Sequence, residues 1–137
     1  MTDQRTEWSD NVVPFERSNG YADRTPPQDL AAEQSVLGAM LLSKDAIGEV
    51  TEVIKGRDFY RPAHELIYDA IMDLYGRGEP ADAITVLAEL TKRGEVGRIG
   101  GAPYIHELIA MVPTAANAGY YARIVRERAI LRRLVEA

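Results

Sequence analysis

A chain of 137 residues is long enough for one hydrophobic core and too short for two domains of common size. With 46% hydrophobic residues, 27% charged residues and no cysteine, it reads as one soluble globular domain, with disulfides and thiolate metal sites excluded and the cytoplasm as the default location. A net charge of -5 excludes nucleic-acid binding through the whole surface, because counterion release needs clustered Lys and Arg facing phosphate. No apolar run approaches the roughly 20 residues of a membrane helix, and the first ten residues lack the apolar core of a secretory signal.

Residues 1–27 mix charges and prolines with aperiodic apolar residues, including Trp8, Val12, Val13 and Phe15, which predicts a mobile tail. Pro26 and Pro27 block helix upstream. From Asp29 the pairs Val36, Leu37 and Met40, Leu41 fall one turn apart and predict a first helix over about 29–42. Ser43 can cap a second helix bearing Ile47, Val50 and Ile54, with Gly56 as a left-handed stop after Lys55. Pro62 opens a third helix, in which Ile67, Tyr68, Ile71, Leu74 and Tyr75 share one face before Gly76 and Gly78. Thr85 is the expected cap of a fourth helix carrying Val86, Leu87 and Leu90. A glycine-rich connector from Gly94 to Gly101 leads to a fifth, with Ile105, Leu108, Ile109 and Val112 between Pro103 and Pro113. From about Asn117 a sixth helix presents Tyr121, Ile124, Val125, Leu131, Leu134 and Val135 and runs to Ala137 without a stop signal, so a longer parent protein is expected. Six helices and no strand pattern predict an all-α fold with short connections.

Catalytic signatures fail on inspection. HELI occurs at His64–Ile67 and again at His106–Ile109, but a zincin needs a second histidine at i+4, where Tyr68 and Ala110 stand. Both histidines are therefore expected at a helix surface or core edge. The run GEVGRIGG at 94–101 lacks the strand and the GK[ST] ending of a nucleotide loop, and reads as a turn whose glycines supply positive φ. The carboxylates Asp45, Glu49, Glu52 and Asp73 read as solvated helix faces. No catalytic, cofactor-binding or metal-binding residue is expected in this chain.

The last helix is basic inside an acidic chain, carrying Arg123, Arg126, Arg128, Arg132 and Arg133 against Glu127 and Glu136. This is either a solvated face with pairs such as Arg123 and Glu127 at i, i+4, or a contact helix for an acidic partner or for phosphate. Its wide apolar stripe requires another chain or a following helix to cover it.

Taken in order, PPQDLAAEQSVLGAMLL, GRDFYRPAHELIYDAI, PADAITVLAEL, IGGAPYIHELI and NAGYYARIVRERAILRRL resemble the amino-terminal domain of DnaB-type replicative DNA helicases over roughly residues 26–137. Ala81, smaller than the apolar residue usual there, and Ile105, where leucine is common, depart from the pattern in packing detail. The resemblance implies a compact orthogonal bundle of about six helices. A mobile tail (1–27) and a globular head (28–116) would be followed by the first arm of a helical hairpin (117–137).

The same resemblance implies a non-catalytic collar and docking module of a hexameric helicase, self-associating as a dimer and, in the full ring, as a trimer of dimers. Primase and a helicase loader would be its partners, DNA would be engaged only by the full-length ring, and ATP and Mg2+ would belong to an absent motor domain. Tyr104 matches a position tied to the primase response, and Ile124, Val125, Leu131 and Leu134 match hairpin-packing positions. Tyr121 and Arg128 on the same helix complete the expected partner interface. A stand-alone helical adaptor and a small DNA-binding regulator are the rival readings.

Overall fold

The computed structural model describes residues 25–136, so residues 1–24 of the expected tail, with Trp8 and Phe15, lie outside the described residues. Six α-helices and no strand occur among the described residues, as the periodicity predicts. They are α1 (Leu30–Leu42), α2 (Lys44–Thr51), α3 (Pro62–Gly76), α4 (Ala83–Lys92), α5 (Ala102–Met111) and α6 (Ala118–Glu136). Three short 3-10 turns, Gly56–Asp58, Gly97–Ile99 and Ala115–Asn117, connect them.

Helix α1 is the central element, packed by α2, α3, α5 and α6. Its apolar residues are not confined to one stripe, and Val36, Leu37, Ala39 and Met40 are all buried, which is what a helix surrounded by others requires. Asp29 starts it by accepting from the Ala32 amide at 3.0 Å. Ser43 ends it and caps α2 by accepting from Ala46 N at 3.3 Å, as expected. At Gly38 the α1 and α5 backbones nearly touch: a Cβ there would lie 2.2 Å from the Leu108 carbonyl oxygen.

Three local expectations need correction. Gly56 is not a left-handed stop. Helix α2 ends at Thr51, Ile54 is buried in the following turn, and Gly56 opens a 3-10 turn. A Cβ there would meet Asp69 Oδ1 at 2.8 Å on α3, the movable end of an exposed side chain. The cap of α4 is Asp82, not Thr85. Asp82 Oδ1 accepts from Thr85 N at 2.9 Å while Thr85 Oγ1 accepts from Asp82 N at 2.8 Å, so Thr85 is the third helical residue of a capping box. Val112, expected on the α5 face, follows that helix in extended conformation.

The glycine stops of α3 and α4 do take positive φ, at Gly78 and Gly94, and so do Gly100 and Gly101 in the connector. Helices α3 and α4 are further tied by Glu89, which accepts from Arg93 Nε at 2.9 Å and from Arg77 at 3.2 Å. The Arg93 hydrogen bond, then the one from Arg77, holds the Glu89 carboxyl below its ordinary value.

Candidate functional site

Helix α6 carries the residues nominated from sequence, and its packing sorts them onto three faces. Ala118, Ala122, Val125, Ala129 and Arg132 recur at i, i+4, i+7, i+11 and i+14 and form the buried face. Small side chains here let α6 lie close against α1. Val125, expected at a partner interface, is 1% exposed and spent in the core, so its side chain is not available to a partner.

A second face holds Tyr121, Ile124, Arg128, Leu131 and Val135, spaced alternately three and four residues apart, the seam pattern of a helix that packs on another helix. Tyr121, Ile124 and Arg128 are half-buried, while Leu131 is 38% and Val135 71% exposed. The Arg128 Nε–H is shut off from solvent with no acceptor among the described residues. Leu134, 70% exposed, projects with Ile130 from the third face. No ion pair joins Arg123 to Glu127 among the described residues; Arg123 stands 5.9 Å over the Tyr120 ring.

The distal half of α6 is clamped to the turn before α3. Asp58 is fully buried, accepts from Lys55 N at 2.8 Å, is hydrogen-bonded by Arg133 and lies 3.7 Å from the Arg126 guanidinium. Arg132 is drawn inward, donating to the Asp58 carbonyl at 2.6 Å and to the Pro27 carbonyl at 2.8 Å while covering the Tyr60 ring at 5.5 Å. Pro27, at the end of the expected tail, is thereby held.

Tyr104 belongs to a different cluster, and here the sequence reading needs its largest correction. His64, expected at a surface or core edge, is fully buried. Its Nδ1 lies 2.7 Å from Glu33 Oε1 and its Nε2 2.6 Å from the Tyr104 hydroxyl, with the two rings stacked at 5.9 Å. Glu33, 1% exposed, also accepts from the Tyr60 amide at 2.6 Å. Gln34 donates to the Tyr104 hydroxyl at 3.1 Å, and the Arg61 guanidinium sits 5.5 Å over the Tyr104 ring. The chain thus joins α1, α3 and α5 through one buried polar network whose members are all hydrogen-bonded, as burial demands. His106 is exposed, as expected.

Glu33 and His64 were legible in part. Glu33 interrupts an apolar run at i-3 to Val36 and i-4 to Leu37, and His64 occupies the Ile67, Tyr68, Ile71 stripe. A charged or polar residue on a core stripe implies a buried partner. Among the described residues, no group of three His, Cys, Asp or Glu side chains converges to hold a metal ion, and no helix is long and apolar enough to cross a membrane.

With this geometry in hand, comparisons with known proteins agree with one another. The family model of the DnaB-like helicase N terminal domain matches residues 25–127. The chain is 75% identical over 114 residues to the replicative DNA helicase DnaB of Mycobacterium leprae, covering 83% of this chain and 19% of that protein. To the Leifsonia xyli DnaB it is 67% identical over 115 residues, covering 84% of this chain and 25% of the relative. The chain therefore spans a quarter or less of the length of these relatives. The crystal structure of the N-terminal domain of DnaB helicase from Mycobacterium tuberculosis superposes with a TM-score of 0.81 at 74% identity, covering 82% of this chain and 81% of that one. The chain belongs to the DnaB-like helicase N-terminal domain family.

Proposed function

We propose that this chain is the amino-terminal collar and docking module of a hexameric replicative DNA helicase, acting in DNA replication by supporting ring assembly and receiving primase. The observation that carries this reading is the second face of α6, a helix-packing seam in which Tyr121, Ile124 and Arg128 are half-buried and Leu131 and Val135 stay exposed. The relatives that match are replicative DNA helicases, which supports placing that seam in a larger assembly. In this reading the copies pair into dimers and, in the ring, a trimer of dimers. Primase and a loader dock on the outside, DNA is engaged through the complete ring, and ATP with Mg2+ serves a motor domain outside these 137 residues.

The Tyr104 hydroxyl is committed to His64 and Gln34, so Tyr104→Ala perturbs packing as well as any docking surface, whereas Tyr104→Phe removes only the hydroxyl. Primase binding to the parent helicase tests the proposal. Leu131→Glu and Tyr104→Ala are expected to weaken primase binding by about tenfold or more, a cost ordinary for a residue at the heart of an interface. Tyr104→Phe serves as the control for the network alone. Unchanged primase affinity in both variants, with helical circular dichroism intact, would contradict primase docking on this domain.

A further inference from the structure

The third face of α6 has a different character from the seam. Arg126, Ile130, Arg133 and Leu134 lie at i, i+4, i+7 and i+8, hence on one side of the helix. The Arg126 and Arg133 side chains are 43% and 44% exposed, Ile130 is 41% exposed and Leu134 70%. Beneath them the fully buried Asp58 holds both guanidinium groups, yet one carboxylate balances only one of the two charges. Beside them Tyr60, 37% exposed, is fixed from below by its backbone N–H, which donates to the Glu33 carboxylate, and is covered by the Arg132 guanidinium. The result is an array of cations, aliphatic side chains and one tyrosine whose positions are set by buried carboxylates, on a chain whose net charge is -5. Arginine and tyrosine held in this way are the residue types that anchor protein interfaces, because little side-chain entropy remains to be lost on binding.

We propose that this third face docks an acidic, leucine-bearing segment of a partner protein, with carboxylates on Arg126 and Arg133 and aliphatic side chains on Ile130 and Leu134. Nucleic acid fits less well for two reasons. Ile130 and Leu134 have no counterpart on a phosphate backbone, and the Tyr60 face that a base would stack on is already covered by Arg132. This face lies across the buried face from the seam, so the two surfaces can be occupied together.

The test uses the 137-residue chain and three labelled probes: an amphipathic peptide of leucines at i, i+4 with intervening glutamates, the same peptide with every glutamate replaced by glutamine, and a single-stranded oligothymidine. Anisotropy gives affinity and amide chemical shifts give location. The acidic peptide is expected to bind, to weaken as salt is raised and to shift amides around 126–134 and Tyr60. Leu134→Gln should weaken it by about tenfold with no change in melting temperature, its side chain being 70% exposed, and Arg126→Gln should weaken it to a similar extent. Equal affinity for the glutamine peptide, preference for the oligonucleotide, shifts confined to Tyr121, Ile124 and Leu131, or no binding of the acidic peptide would each overturn the proposal.

Discussion

His64 occupies a position that the HELI motif makes tempting for metal chemistry, yet its two ring nitrogens are both spent on structure. With the proton on Nδ1 it donates to Glu33, and Nε2 then accepts from Tyr104, which leaves no lone pair for a metal. Removing one partner from a buried pair strands the other, so His64→Leu should destabilise the fold by about 3–5 kcal/mol in urea unfolding; a loss below about 1 kcal/mol would mean that the network holds little. Tyr68 gives a second residue-scale prediction. Its hydroxyl donates to the Ile54 carbonyl at 3.1 Å, and burial, then Asp58 and Asp69, push its pKa from 10.0 up to about 12. A pKa raised on folding contributes stability that is complete below pH 10 and is lost as pH rises toward 12. Tyr68→Phe should therefore cost about 1 kcal/mol near neutrality and less with each step into alkali, followed by thermal melts across that window. A penalty independent of pH would contradict the assigned causes. Periodicity exposes the stripe that His64 shares with Ile67 and Tyr68, but whether a polar residue on a stripe is buried depends on partners such as Glu33, thirty-one residues distant.

At the scale of the element, glycines that look alike in sequence do opposite work. Gly38 lets α1 and α5 approach until a Cβ would sit 2.2 Å from backbone, so Gly38→Ala should force the helices apart and cost about 3 kcal/mol or more. Gly48, inside α2, would gain only ordinary contact with the Tyr75 hydroxyl at 3.5 Å, so Gly48→Ala should stabilise by about 0.5–1 kcal/mol through helix propensity. Equilibrium unfolding of the two variants reads both signs, and the same sign for both would contradict the packing described. Helix existence and the face of each helix were legible because they follow local period, and α6 is the clearest example. Ends were less legible: Thr85 has cap chemistry, but Asp82 three residues earlier has it too, and reciprocal bonding decides the boundary. Gly56 was misread because it opens a 3-10 turn instead of taking the positive φ of a helix stop.

Across the whole molecule, α6 does two jobs at once. Its small-residue face completes the core around α1, and its remaining circumference carries the seam and the cationic, aliphatic flank that we propose as partner surfaces. The five arginines were visible in sequence as one basic helix. The placing of three of them, with Arg132 buried on carbonyls and Arg126 and Arg133 fixed by Asp58, follows from a turn some seventy residues upstream and has no local signal. Partner surfaces are legible only as leftover exposure once packing is known, which is why Val125 and Leu134, both apolar on one helix, part company in the fold. The central claim is that the seam of α6 is built to be covered by another helix in an assembly of copies. Sedimentation equilibrium of the chain tests it most directly. Concentration-dependent dimers that Leu131→Glu converts to monomers are the expected result, and a strict monomer up to the solubility limit, unaltered by Leu131→Glu, would contradict it.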